Sequence, residues 1–239
     1  MITIQTIKQV HVKLPAVYRY MQASYISDFF DHGRLRISSF QRFRDYPDEI
    51  RGDKREAQGS ATGKGGDEFT FHVMTDAGAN GYMLSASLED SAAIKKEFDV
   101  DSYFEIFDPL GFSVAVANAL PGQQEAFLGF CNYQDKRVIE KTLEEMSLSD
   151  FTGEDGNIVL MHPKMNERIH QLVGNGIDFL FLKDKKYQSQ SEFRFVWRID
   201  GAHFDVKDHV DIICKEAIQF CRMHDSEKSG ASDQAMYGS

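Results

Sequence analysis

Apolar positions along the chain alternate between a period of two and a period of three to four, which predicts short strands interrupted by helices. Val10 to Val12 reads as a short strand ahead of Pro15, and Tyr18-Arg19-Tyr20 extends or restarts it. Ser24 then stands as an N-cap before Ile26, Phe29 and Phe30 at helical spacing, and Gly33 sits where a left-handed residue ends a helix. Residues 34–38 alternate as a strand. Aromatic and β-branched runs predict further strands at 68–74, 82–88, 112–117, 126–133, 158–161, 179–183 and 192–199. Helical spacing predicts helices over 90–98, 135–146, 164–173 and 210–223, with Gly174 and Gly176 ending the third.

Strands scattered among helices without strict alternation favour an α+β fold over a doubly wound sheet. We read residues 1–224 as a single globular domain. Its charged, Gly/Ser-rich stretch at 45–66 is expected to be a long mobile loop, and the polar tail at 225–239 to be disordered. The segment Gly59–Gly66 has the glycines of a phosphate loop but lacks the G-x4-G-K-[ST] pattern.

Composition narrows the function classes. The 239 residues are 42% hydrophobic and carry no apolar run of the ~20 residues a membrane span needs, so no membrane contact is expected. The start of the chain lacks the apolar core of a signal peptide, and three cysteines (Cys131, Cys214 and Cys221) make no disulfide framework. A reducing cytoplasm is the expected compartment, with the cysteines as small buried apolar groups. The formal net charge of −10 argues against a protein that coats nucleic acid. That charge is uneven. Residues 1–56 hold 10 Lys/Arg against 7 Asp/Glu, whereas the remainder holds 17 against 30. Arg34, Arg36, Arg42, Arg44, Arg51 and Arg55 fall together, interleaved with Asp45, Asp48, Glu49, Asp53 and Glu56. The bland reading is a solvated surface, and the sharper one is a local anion site built from guanidinium forks.

No familiar metal or nucleophile signature appears. The spacing C-x6-C-x2-H over Cys214, Cys221 and His224 matches no usual zinc pattern, and H-E-x-x-H, G-x-S-x-G and G-x-G-x-x-G are absent, so no metal site is assigned. The carboxylates at 45–56 and the group His203, Asp205, Asp208, His209 and Asp211 read as solvated charge rather than ion ligands.

Three short motifs gain meaning from their order: Tyr18-Arg19-Tyr20, then Ser85-Ala86-Ser87, then Gln190-Ser191-Glu192-Phe193-Arg194 at the start of a late strand. The sequence Arg, Ser-x-Ser, Glu resembles the ADP-ribosyltransferase superfamily. The chain also resembles a widespread bacterial and phage family that opens with Tyr-basic-Tyr, a helix, Gly-x-Leu and Phe-x-Asp. That family later shows a Ser-x-Ser strand and a Lys ahead of Glu-x-Glu-aromatic-Arg. The counterparts here are Gly33-Arg34-Leu35, Phe43-Arg44-Asp45 and Lys183, besides the three motifs above. The resemblance runs from about residue 17 to 199.

The resemblance implies a mainly antiparallel split sheet flanked by helices, and NAD as the substrate. Breaking the nicotinamide–ribose bond passes through an oxocarbenium-like state. Glu192 would stabilise that charge from beneath the ribose, and Gln190 would act on the acceptor side. Arg19, with Tyr20 beside it, would hold the dinucleotide, and Ser85 and Ser87 would shape the nicotinamide pocket. Tyr103, Phe104 and Phe107 are the candidate aromatics to stack on nicotinamide. The implied activity is ADP-ribosyl transfer to a protein or nucleic-acid acceptor, or NAD cleavage, in a setting of bacterial and phage conflict. Three departures are on view: Ala86 for a central Thr, Gln190 for a first Glu, and Arg44 for an Asn. They leave open a non-catalytic binding or inhibitor module that uses the arginine-rich 34–55 segment, with Glu192 paired structurally to Arg19 or Lys186. A magnesium-dependent nuclease using the 45–56 carboxylates is the third reading.

Overall fold

The computed structural model describes residues 13–48, 50, 52–64, 70–142, 149, 152–157, 159, 163–202 and 205–224. The chain opens with strand β1 (Val17–Met21), helix α1 (Ala23–His32), strand β2 (Arg34–Ser39) and the short helix α2 (Phe40–Arg44). Strands β3 (Gln58–Lys64), β4 (Thr70–Asp76) and β5 (Gly81–Ser87) follow, then α3 (Ala92–Glu97), β6 (Ser102–Ile106) and α4 (Pro109–Ala119). Next come β7 (Gln123–Phe130), β8 (Asn132–Gln134), β9 (Val138–Thr142), α5 (Pro163–Val173), α6 (Ile177–Leu180) and β10 (Leu182–Asp184). A 3₁₀ turn at Lys185–Gln190 leads into β11 (Glu192–Ile199), and β12 (His209–Ile213), a second 3₁₀ turn (Lys215–Phe220) and β13 (Cys221–Met223) close the described chain. The fold is α+β, as its pattern predicts. None of the described helices is long and apolar enough to cross a membrane.

The main sheet has eight strands in the order β12-β2-β5-β1-β6-β13, with β11 on the other edge of β5 and β7 beyond β11. All its pairings are antiparallel. A three-stranded sheet, β4-β3-β9, and the parallel pair β8/β10 lie apart from it. One feature of register positions the site. β11 runs along the whole of β5, from Glu192 opposite Ser87 to Arg198 opposite Gly81. The other edge of β5 is shared: β2 takes Tyr82 and Met83, and β1 takes Ser87. Leu84, Ser85 and Ala86 pair with neither strand, so the sheet parts between β1 and β2 at Ser85.

Strand alternation sends the two faces of β11 to different layers. Phe193, Phe195 and Trp197, all fully buried, join the main core with Phe112 of α4, whose ring meets Phe195 edge-on at 5.2 Å. Val196 joins a second cluster with Phe40, Met83 and Leu180. Glu192 and Arg194 share that second face, so both charged groups lie beneath protein rather than in water.

Several sequence expectations are corrected. Residues 112–117 are helical, not a strand: Asp108 accepts the Gly111 N–H at 3.0 Å as N-cap, Pro109 sits at the first helical position, and this start signal overrides β-branched composition. Helix 135–146 is not formed where the chain is described, because Val138–Thr142 pairs parallel to β3. The expected C-terminal helix is instead strand, 3₁₀ turn and strand, and Ile212 is buried while Ile213 is 68% exposed, the signature of period two. Residues 179–180 belong to α6, and only the end of the expected 179–183 strand is extended. The segment at 45–66 is only partly a loop, since Gln58–Lys64 is paired on both sides. Helix α1 starts one residue before Ser24, with Gln22 as N-cap, and its Ala23 N–H is capped by Asp101 at 2.8 Å. The strand at 10–12, most of that at 158–161 and the tail at 225–239 lie outside the described residues.

Gly33 has the left-handed conformation expected of it, with φ +75°. A Cβ there would also meet the Lys215 amide nitrogen at 2.8 Å. Gly33→Ala is therefore expected to cost about 1–2 kcal/mol, read as a lower urea midpoint.

Candidate functional site

The parted sheet opens into a cleft of about 850 Å³. Arg19 and Tyr20 of β1, Ser85 and Ser87 of β5, and Gln190 and Glu192 at the start of β11 all line it. Residues far apart in sequence thus meet because β1, β5 and β11 are neighbours.

Glu192 is 4% exposed and is the hub. Its Oε1 accepts the Ser85 hydroxyl at 2.6 Å and Arg194 Nε at 2.7 Å, and its Oε2 accepts the Lys183 ammonium. Its backbone N–H donates to the Tyr133 hydroxyl at 2.7 Å. Burial alone would push the Glu192 carboxyl up, but the charges and hydrogen bonds of Arg194 and Lys183 outweigh it and hold the group well below the usual carboxylate range. An ionised carboxylate has about four acceptor sites, and three are taken, which leaves capacity on Oε2.

Arg19 lies where β5 lacks a partner, and its NH1 donates to the free Ser85 carbonyl at 2.6 Å. Its Nε is enclosed and has no hydrogen-bond partner. Burial lowers the Arg19 guanidinium to about 10 and Glu192 pulls the other way, so it stays charged near neutrality. Ser87 donates to the Gln190 carbonyl at 2.9 Å and accepts the Glu89 N–H at 3.1 Å. The Tyr20 hydroxyl donates to the Glu89 carbonyl and accepts the Ser91 N–H, each at 2.7 Å. Ser87 and Tyr20 thereby brace the 87–91 turn at the mouth of the cleft.

Gln190 and Glu192 face one pocket, though not by simple strand alternation. Gln190 ends a 3₁₀ turn, and Ser191 takes a left-handed conformation at φ 44°. The Gln190 amide is fully engaged: Oε1 accepts Lys183 Nζ at 2.9 Å, while Nε2 donates to the Ile50 carbonyl at 3.0 Å and Glu97 at 3.2 Å.

Sequence reasoning read Arg194 only as a possible ion-pair partner of Glu192, and Glu56 only as one of the 45–56 carboxylates. Arg194 is fully buried and contacts Glu192, the Leu180 carbonyl at 2.7 Å, and Glu56 Oε1 through NH1 at 2.8 Å. Its position two residues after Glu192 was the available signal. Glu56, 2% exposed, also lines the cleft, and nothing in its charge-rich surroundings marks it. Of the partners that sequence suggests for Glu192 (Arg19, Lys186 and Arg194), the structure pairs it with Arg194, and it adds Lys183.

The candidate stacking aromatics are corrected as well. Tyr103, Phe104 and Phe107 do not line the cleft: Phe104 is buried in the core, Tyr103 meets Tyr18 edge-on at 5.7 Å, and Phe107 lies under Arg222. Tyr18, Tyr25, Phe43, Tyr46 and Phe98 line it instead. The arginine-rich segment is largely self-neutralised. Arg34 pairs with Asp28 at 3.4 Å, Arg36 with Asp211 at 2.7 Å and Arg44 with Asp76 at 2.6 Å, while Arg42 lies over the Tyr46 ring. Arg51 lies outside the described residues. Asp53 and Glu56, which a metal-ion reading would need, are paired with Arg137 and Arg194.

Compared with family models, curated proteins and solved structures, the chain matches none.

Proposed function

We propose that this protein cleaves NAD, transferring ADP-ribose to a protein or nucleic-acid acceptor or releasing it. The single observation that carries the reading is the convergence of Arg19, Ser85 and Glu192 on one cleft, with Glu192 held ionised on its floor. The resemblance implies an Arg, Ser-x-Ser, Glu set serving one site, and β5 pairs with β1 on one edge and with β11 on the other, which is compatible with it.

The position of Arg19 supports an anionic ligand. Among the other charged residues lining the cleft, Arg34 and Arg36 pair with Asp28 and Asp211, and Lys183 with Glu192. Among the described residues Arg19 has no carboxylate in ion-pair contact, and it points its guanidinium at the parting of the sheet. A pyrophosphate beside Arg19 would supply the missing charge. The ribose 2′-hydroxyl would take the remaining site on Glu192 Oε2, and the carboxylate would then oppose the positive charge that develops as nicotinamide departs. Ser85 and the Lys183–Arg194 pair hold that carboxylate, while Ser87 and Tyr20 brace the mouth. Gln190 positions Lys183. Three free, buried cysteines support a reducing compartment such as the cytoplasm. The alternative, a binding module working through the 34–55 arginines, gains nothing from arginines already paired with carboxylates.

Purified protein incubated with NAD and cell lysate is expected to release nicotinamide, and calorimetry to register NAD binding that weakens at least tenfold in Arg19→Ala. Absence of both turnover and binding in the wild-type protein would remove the reading.

A further inference from the structure

The cleft holds a second carboxylate. Glu56 lies at the end of the 45–57 segment, where a run of acidic and basic residues would suggest solvation, yet it is 2% exposed and lines the same cavity as Glu192. What buries it is a set of ties from outside the segment. Arg137 grips Asp53 and the Arg55 carbonyl, the Tyr187 hydroxyl donates to the Gly52 carbonyl at 2.9 Å, and Gln190 donates to Ile50. The segment is thus docked on the β11 side of the site as its second wall.

Glu56 has an unusual hydrogen-bond state for a group so enclosed. Its Oε1 is enclosed 2.8 Å from Arg194 NH1 as an ion pair, and among the described residues its Oε2 has no partner. A carboxylate oxygen without a donor, on a residue that lines the cleft, is the one able to take a proton from a bound group. Arg194 meets both carboxylates, Glu192 through Nε at 2.7 Å and Glu56 through NH1 at 2.8 Å. Two carboxylates on one guanidinium have their nearest oxygens no more than about 8 Å apart, within the span over which paired carboxylates serve a single glycosidic carbon, one at the cation and one at the incoming oxygen. Gln190, the group expected on the acceptor side, has both Nε2 protons engaged by Ile50 and Glu97 and its Oε1 held by Lys183, and an amide is no base for a hydroxyl proton.

We propose that Glu56 is the general base for the acceptor, and that the acceptor is a hydroxyl group, with water serving where no other is bound. This rests on the NAD-cleaving reading above. The bond between ribose C1′ and the nicotinamide nitrogen breaks, and its electron pair stays on that nitrogen, neutralising the pyridinium. The acceptor oxygen forms the new bond to C1′, and its proton passes to a Glu56 carboxylate oxygen. Glu192 remains ionised throughout and opposes the charge on the ribose. The two acids therefore divide the work. Glu192 is held by three donors and cannot readily take up a proton, whereas Glu56 retains an open lone pair.

The test is nicotinamide release by the full chain carrying Glu56→Ala or Glu56→Gln, with and without sodium azide, an anionic nucleophile that needs no base. Both variants are expected to lose about 10²-fold or more in turnover. Azide is expected to restore at least tenfold of that loss in Glu56→Ala, with ribosyl azide as product, and to restore nothing in Glu192→Ala. NAD affinity by calorimetry is expected to stay within about threefold. Glu56→Gln keeps the size of the side chain beside Arg194 and carries the test should Glu56→Ala unfold. An active wild-type protein whose Glu56 variants stay within threefold of it, or lose turnover without azide rescue while folded, would overturn the role of Glu56 alone. A wild-type protein inert toward NAD, with or without azide, would overturn the underlying reading as well.

Discussion

Glu192→Gln is expected to lower nicotinamide release by about 10²–10³-fold while leaving NAD affinity nearly unchanged, because it removes a charge that matters only once the ribose becomes cationic. The substitution keeps the shape of the side chain and can still accept the Ser85 hydroxyl, which sits 2.6 Å from Oε1. It does not keep the field. Lys183 and Arg194, held near Glu192 through Oε2 and Oε1, would face a developing cation with no opposing charge except Glu56. The outcome separates two accounts of Glu192. If the carboxylate only holds β11 in place, the variant loses stability and keeps its turnover per folded molecule. If it acts on the ribose, turnover per folded molecule falls and Km moves little. Single-turnover measurements on protein shown to be folded by circular dichroism decide between them.

The strand that carries Glu192 was the part of the fold most open to sequence reading. Residues 192–199 alternate Phe193, Phe195 and Trp197 with smaller or charged residues, and the strand spans the expected range. Elements whose identity depends on distant partners were less legible. Residues 138–142 look helical in isolation, yet they complete a sheet with β3 that the chain reaches only after two other sheets' strands have been laid down. Residues 210–223 place Ile212, Ala217 and Phe220 at spacings that suit one helix. A strand followed by a 3₁₀ turn buries Ile212 and Ala217 equally well. The site divides in the same way. Arg19, Ser85, Ser87, Gln190 and Glu192 could be named from motif order, because each stands on, or immediately before, one of three neighbouring strands. Arg194 could be named as a partner of Glu192, but its reach to Glu56 could not, because what buries a carboxylate in a charged segment is the guanidinium it meets in three dimensions. The aromatics were missed for a related reason: β6 alternation sends Phe104 to the core, while the cleft is walled by β1, α1 and the 43–50 segment.

Arg194→Met is expected to be the most destabilising single change at the site. It removes a fully buried guanidinium of similar length and takes away the cation that both Glu192 and Glu56 contact, leaving Lys183 beside Glu192 and the buried Arg19 as the remaining offset. Breaking one partner from a buried ion pair costs about 3–5 kcal/mol, a large share of the roughly 5–15 kcal/mol that holds a typical domain together. For a chain of this size that corresponds to a fall in Tm on the order of 10 °C, measurable by calorimetry at pH 7. The pH dependence gives the loss a signature that cavity formation alone would not. In the wild-type protein the Glu192 carboxyl is held well below its ordinary value of 4.5. Its contribution to stability is therefore complete above about pH 4.5 and is lost progressively as the pH falls below it. Without Arg194 the larger of the two opposing charges is gone, burial pushes the Glu192 carboxyl upward, and its protonation relieves the unbalanced buried charge. The variant's stability should then fall less steeply than the wild type's between about pH 5 and pH 3, so that the gap between them narrows on acidification. A gap that stays constant over that range would mean that Arg194 acts through packing and its bond to the Leu180 carbonyl, not through the two carboxylates. Combining Arg194→Met with Glu56→Gln should recover part of the lost stability at pH 7, because it removes one of the stranded charges while a Met–Gln contact needs no counterion.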